Sequence, residues 1–308
     1  MLFGSRTKIA LMQVQVVSVP QWSKTSWLVH GFSTRTGGKT TVYRASAKGE
    51  AGDLNLSFTD SDDRQNVAAN RGLFLKAAAG RKKFLGMVTL RQIHSSLIHH
   101  VGGADVRAND QPAILKGDGL MTDEPGVLLG IQTADCIPVL VADRKRRAVA
   151  AFHAGWRGTL ARIVENGVGR MRVEFGSRPE DLIASVGPGI GQCCYSVGQE
   201  VRDQFESQFL YAADLFHEVY DSDPVREKYP MLFLTARAPG HSDIGPAMHL
   251  DLAEANRRQL LAAGLKKTAI AMTGQCTGCH TDLFFSHRIE RGFTGRLMSV
   301  IGVAAAKS

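Results

Sequence analysis

Long apolar runs are missing from this chain. No stretch of its 308 residues approaches the ~18 consecutive apolar residues that cross a bilayer. The start, MLFGSRTKIALMQVQVV, lacks a sustained apolar segment followed by a small-residue cleavage site, so a secretory signal is not expected. Cysteine is scarce: five residues without export point to reduced thiols and a cytoplasmic setting, not to a disulfide framework. Internal repeats and flexible linkers are also lacking. The formal charge is +8, but the basic residues are scattered, and no face for nucleic acid emerges. Their densest cluster, DRKRR at 143–147, separates two apolar runs, where a solvated hairpin turn belongs. Mild basicity suits an anionic small substrate.

What is present reads as one mixed α/β domain with helices flanking mixed sheets. Residues 28–35 form a strand that leaves into a polar turn. Residues 62–79 have an acidic start and helical composition and stop at Gly80. The next strand, MVTLRQIH, places Val88, Leu90, Gln92 and His94 on one face by its period of two. GVLLGIQTADCIPVLVAD holds two short strands broken around Thr133-Ala134-Asp135, and AVAAFHAGW is a strand ending at His153. A helix follows over 158–175, with Thr159 as a cap. DLIASVG runs into the loop 187–191. Ser196 and Gln199 make a capping-box pattern for a helix reaching about Phe209. Residues 212–249 carry the least pattern. Asp251 and Glu254 open a further helix that Gly264 closes, and a strand-rich tail completes the chain.

The chemistry gathers at strand ends. His94, Cys136 and His153 are two imidazoles and a thiol, a competent set for a divalent metal with a fourth position open. The same atoms also suit a cysteine nucleophile with His153 as its base. HAGWRG (153–158) joins a strand to a helix start, and Arg157 there suggests an anion contact. VGPGIGQCC has glycines after a strand but not a dinucleotide fingerprint, and Cys193-Cys194 read as packing residues. CTGCH (276–280) matches a haem-attachment pattern out of its exporting context. It reads as a turn, or as a second metal site using Cys276, Cys279 and His280. His99 and His100 read as surface residues.

The blocks HGFSTRTGG, LNLSF, ANRGLF, LRQIHS, GDGLMTD, TADCIPVL, AAFHAGWRGT, GPGIGQCCYSVG, LDLAEANRRQL and CT…FFSHR…TGR follow one another from residue 30 to 296. In this order they resemble the multicopper polyphenol oxidoreductase (laccase-domain) family, understood as zinc-dependent purine nucleoside phosphorylases. The resemblance implies a catalytic domain over 26–304 with residues 1–25 as an extension, in a fold shared with toxin deamidases. It implies a metal site of His94, Cys136 and His153 holding Zn2+, with copper as the lesser alternative. The implied substrates are purine nucleosides (adenosine, inosine, guanosine, methylthioadenosine) with inorganic phosphate, and adenosine deamination is a second activity. A Cys136/His153 hydrolase or deamidase and a copper polyphenol oxidase are the rival readings. Beside the metal, Arg35, Arg157 and Arg288 are expected at the anion or substrate. Gln92 is expected to bond the ligand or substrate, and Asp118 and Asp135 to orient metal-bound imidazoles. The first 25 residues and 212–249 carry none of the family blocks, and the flank of Arg288 in FFSHRIERG departs slightly from the family's.

Overall fold

A computed structural model describes residues 13–43, 52–219 and 247–306. The chain divides into two compact units, one of residues 1–191 with 252–308 and the other of residues 192–251. In chain order the larger unit begins with β1 (Val16–Val17), β2 (Leu28–Ser33), β3 (Thr36–Gly38) and β4 (Gly52–Asp53). Helix α1 (Arg64–Ala79) leads to β5 (Gly86–Thr89), β6 (Ile98–His100), β7 (Gly119–Thr122), β8 (Val127–Thr133), β9 (Ile137–Asp143) and β10 (Val149–Ala154). Two helices, α2 (Trp156–Leu160) and α3 (Ile163–Phe175), precede β11 (Leu182–Val186). The smaller unit holds α4 (Gln199–Gln208), β12 (Phe216–Val219) and β13 (Ala247–Leu250). The larger unit resumes with α5 (Leu252–Ala262), β14 (Ile270–Met272) and β15 (Leu297–Val303).

Two mixed sheets make the larger unit, in the orders β1-β2-β15-β8-β5 and β14-β11-β9-β10-β7-β6. Most neighbours are antiparallel, while β5–β8, β6–β7 and β11–β14 are parallel. Leu28, Leu129 and Ile301 of the first sheet share a core with Leu140, Val149 and Ala151 of the second. Their sequence neighbours Val29, Leu128 and Val300 point the other way, into a second core closed by Phe74 and Leu75 of α1. Burial on both faces explains why β8 and β15 read as nearly continuous apolar runs and not as alternation. Helices α3 and α5 cover the second sheet.

Several elements follow the sequence closely. Helix α1 is capped by the Asp63 side chain on the Gln65 N–H (2.7 Å) and ends at Gly80 with φ 59°. DRKRR forms the β9–β10 hairpin turn, in which Asp143 Oδ1 accepts the N–H groups of Lys145 and Arg146. Within residues 13–25, β1 pairs with β2 and Trp22 enters the core between the sheets. Other elements differ from the sequence reading. The helix expected over 158–175 breaks at Arg162, which is left-handed (φ 57°), and Thr159 is buried inside α2 instead of capping it. Its hydroxyl accepts the Asn256 amide of α5 at 3.0 Å, a tertiary bond that outweighs the capping pattern. In the smaller unit Gly198, not Ser196, holds the N-cap of α4. That unit has its own aromatic cluster, Phe205 against Phe209 and Phe216, and in it Cys193 is exposed and Cys194 half-buried. The tail contributes one strand, β15, preceded by loops. Much of the stretch 212–249 lies outside the described residues. Among the described residues no helix is long and apolar enough to cross a membrane.

Candidate metal centre

Asp118 is completely buried immediately before β7. Its carboxylate accepts the N–H groups of Ile93, His94 and Ser95 at 3.3, 3.0 and 2.6 Å, and the Ser95 hydroxyl at 2.7 Å. Successive amides can converge on one acceptor only where the backbone turns back on itself, and His94 accordingly has φ 58°. This corrects the expected strand face. β5 stops at Thr89, and His94 sits in a loop wrapped around a carboxylate instead of on an alternating edge. The same Asp118 accepts the His153 Nδ1–H at 2.8 Å, and its backbone carbonyl accepts the His153 N–H at 2.7 Å. With Nδ1 committed, the imidazole of His153 has Nε2 left for a ligand.

Cys136 lies where the chain leaves β8 in one sheet and enters β9 in the other. Asp135 makes this corner with φ 89°. The third approach comes from β10, which ends just beyond His153. Gly155 follows, and a Cβ there would stand 2.9 Å from Cys136 Sγ and 3.1 Å from His94 Cδ2. A glycine is required for the chain to pass the Cys136 and His94 side chains. His94 Nε2 is 3.9 Å from Cys136 Sγ, and the His94 and His153 rings meet edge to face at 4.9 Å. One donor atom from each of His94, Cys136 and His153 lies within 4.8 Å of the others. His153 is buried, Cys136 half-buried and His94 exposed, so the cluster opens on the His94 side.

The electrostatics favour a positive charge among these atoms. Burial by itself pushes the Cys136 thiol up, but the His153 imidazole and then His94 draw it down to about 6. Burial likewise disfavours the His153 cation, yet Cys136 and Asp118 raise it to about 9. Burial would lift the Asp118 carboxyl, and the bonds from His153 and Ser95 hold it down at about 2. A thiolate and two imidazoles, one oriented by a buried carboxylate, fit a tetrahedral divalent ion with one open position.

Residues 29–304 match the family described as multi-copper polyphenol oxidoreductase laccase. The chain belongs to this family. Among relatives, it is 35% identical over 282 residues to "Purine nucleoside phosphorylase YlmD" of Geobacillus stearothermophilus, covering 90% of this chain and 94% of the relative. It is 34% identical over 193 residues to "Adenosine deaminase RL5" from an unknown prokaryotic organism, covering 61% and 64%. Among solved structures, the Bacillus licheniformis hypothetical protein YfiH superposes with a TM-score of 0.74 at 32% identity, covering 94% of this chain and 96% of that one.

The other residues singled out in this laccase-domain sequence lie around the triad in distinct ways. The Gln92 side chain pairs with the backbone of Gln132, accepting its N–H at 2.8 Å and donating to its C=O at 2.7 Å. Arg35 is buried, bonded twice to Asp53 (3.2 and 2.8 Å) and once each to Glu290 (2.9 Å) and the Thr281 carbonyl (2.7 Å). Arg157 is exposed, its guanidinium 4.3 Å above the Trp156 ring. Helix α2, on which it lies, has only five residues. Arg288 is exposed and its backbone N–H reaches Asp135 Oδ2 at 2.7 Å. Of the two acids, Asp118 serves His153, while Asp135 bonds Thr277 and Arg288 and neither histidine. CTGCH forms a turn closed by the His280 N–H on the Cys276 carbonyl (3.2 Å), and the buried Cys276 Sγ accepts the Gly191 N–H. Among the described residues, Cys276 and Cys279 belong to a cysteine group able to hold a metal, and His280 does not. Ser95, Gly155 and Thr277 are the contributors that sequence reasoning passed over. Ser95 and Gly155 lie inside the LRQIHS and HAGWRG blocks, so adjacency to a ligand was their one signal.

Proposed function

We propose that this chain is a zinc-dependent purine nucleoside phosphorylase, acting on adenosine, inosine, guanosine and methylthioadenosine, with adenosine deamination as a second activity. One observation carries the reading: two imidazoles and a thiol converge around an open side, with Asp118 fixing the tautomer of His153. The names of the relatives supply the substrate class. Among the described residues, the groups able to hold a metal contain no histidine beyond His94 and His153, a poor match to multicopper oxidation. Phosphorolysis breaks the bond from C1′ to the purine nitrogen and forms one from C1′ to a phosphate oxygen. The base leaves with a proton and the sugar as its 1-phosphate. His94, Cys136 and His153 would hold the zinc, which when bound would supply Lewis acidity at the substrate and a more acidic water for deamination. The chain does the rest by holding and orienting. Asp118 keeps a proton on His153 Nδ1 and gathers the His94 loop onto one acceptor. Gln92 clasps that loop to β8. Arg157 and Arg288 are the cations assigned to the phosphate, and Arg35 acts through the 281–290 segment it anchors.

The lowered thiol of Cys136 beside His153 favours one second reading, a cysteine hydrolase or deamidase. The two part over phosphate and metal. Zinc-loaded protein is incubated with adenosine, inosine and methylthioadenosine with and without phosphate, and free base is followed by chromatography. We expect base release that requires phosphate and is lost on chelation. Equal release without phosphate means hydrolysis. Activity that survives chelation but not thiol alkylation belongs to the cysteine mechanism, and no turnover of any nucleoside defeats the proposal.

A further inference from the structure

Asp135 precedes the metal-type ligand Cys136 and is 8% exposed, yet it touches neither histidine of the triad in any bond described. Three other chain segments meet on it instead. Its Oδ1 accepts the Thr277 hydroxyl at 2.6 Å, its Oδ2 accepts the Arg288 N–H at 2.7 Å, and its backbone carbonyl accepts the Ile190 N–H at 2.7 Å. The loop carrying Ile190 is pressed against the same corner, since a Cβ on Gly189 would stand 2.9 Å from the Asp135 carbonyl oxygen. The residue itself turns the chain from one sheet into the other at φ 89°, a conformation that Asp and Asn tolerate and most side chains do not. Thus one residue at a left-handed corner ties Cys136 to three segments, its carboxylate holding the 276–280 turn and the segment bearing Arg288 and its backbone carbonyl the 187–191 loop.

We infer that Asp135 is a positioning residue that sets the Thr277 and Arg288 segments against the metal centre, and that it works as a hydrogen-bond acceptor at a left-handed corner, not as a proton-transfer group. This deepens the phosphorylase reading and rests on it for the kinetic arm of its test. The chemistry of the contacts makes the inference sharp. An asparagine fits the same corner, can accept from the Arg288 N–H through Oδ1, and can donate Nδ2–H to a Thr277 hydroxyl that turns to accept. An alanine can do neither and is strained at this φ.

The experiment compares Asp135→Asn, Asp135→Ala and Thr277→Val in zinc-loaded protein, with kinetics on adenosine and hydrogen–deuterium exchange of peptides spanning 276–280 and 286–292. Asp135→Asn is expected to keep kcat and KM within about threefold of wild type. Asp135→Ala is expected to raise KM about tenfold or more and to quicken exchange in both peptides. Thr277→Val, which removes one bond and leaves the corner intact, should show a smaller rise in KM with faster exchange confined to 276–280, and it decides the matter if the alanine variant does not fold. A fall in kcat of about a hundredfold in Asp135→Asn at unchanged KM would make Asp135 an acid or base and overturn the inference. Unchanged exchange in both peptides for Asp135→Ala and Thr277→Val would overturn it as well. If wild type turns over no nucleoside, the phosphorylase reading fails, and the exchange pattern still decides the role of Asp135.

Discussion

Single side chains in this protein act through the hydrogen bonds they hold fixed. Asp118 shows this at the candidate metal centre, where one carboxylate collects three successive amides, a hydroxyl and an imidazole. His30 shows it away from the site. Its Nε2 accepts the Val19 N–H at 3.1 Å, and its ring meets Trp22 edge to face at 5.0 Å. Burial, with nearby Lys82, pushes its pKa down from 6.5 to about 4. The folded form therefore takes up this proton less readily than the unfolded chain. The contribution to stability is complete above pH 6.5, is lost as pH falls from 6.5 towards 4, and amounts to on the order of 2 kcal/mol. Urea unfolding at pH 7.5 and pH 5 should show wild type losing more stability than His30→Gln over that interval. Equal losses would mean that His30 does not titrate with folding.

At the scale of elements, the centre depends on chain paths that leave room for ligands. The strand β10 delivers His153, and the chain then enters α2 through Gly155, whose absent Cβ leaves space for Cys136 Sγ and His94. Gly155→Ala places a methyl group against a sulfur 2.9 Å away, so the triad must spread. The variant is expected to fold, since the clash is with side chains at an open site, and to bind zinc about tenfold or more weakly. Competition with a chromophoric chelator measures this, and an unchanged affinity would show that the triad has slack. The element boundaries follow the same logic. The alternation read through Gln92 and His94 ends at Thr89 because the Asp118 carboxylate bends the next segment around itself. No local pattern announces an acceptor that lies 24 residues further on.

Over the whole of the larger unit, the three candidate ligands come from separate connections. His94 follows β5 of the first sheet, Cys136 lies at the crossing between the sheets, and His153 ends β10 of the second. An ion bound by all three ties the two sheets together in the native state and not in the unfolded chain. At a free zinc concentration a hundredfold above Kd this contributes about 2.7 kcal/mol. Stripping the metal should lower Tm by several degrees, and adding zinc back should restore it. In Cys136→Ala the response to chelator should be much smaller. A Tm indifferent to chelation in wild type would remove the triad as a structural metal site.

The sequence by itself determined what depends on residue type and local order. Apolar runs located β8, β9 and β10, an acidic start and Gly80 bounded α1, and DRKRR marked a hairpin. The order of short blocks identified the family and carried with it the expectation that His94, Cys136 and His153 hold a metal. Contacts between distant segments were not legible, because hydrogen-bond partners dozens of residues apart leave no periodic trace. Only the tertiary structure decided that Asp118 serves His153 and that Asp135 serves Thr277 and Arg288. It alone buried Arg35 against Asp53 and Glu290, and turned Gln92 towards the backbone of Gln132. A carboxylate or an amide in a sequence is only a capacity for bonding. Which partner it takes is fixed when two sheets pack and bring chain corners together.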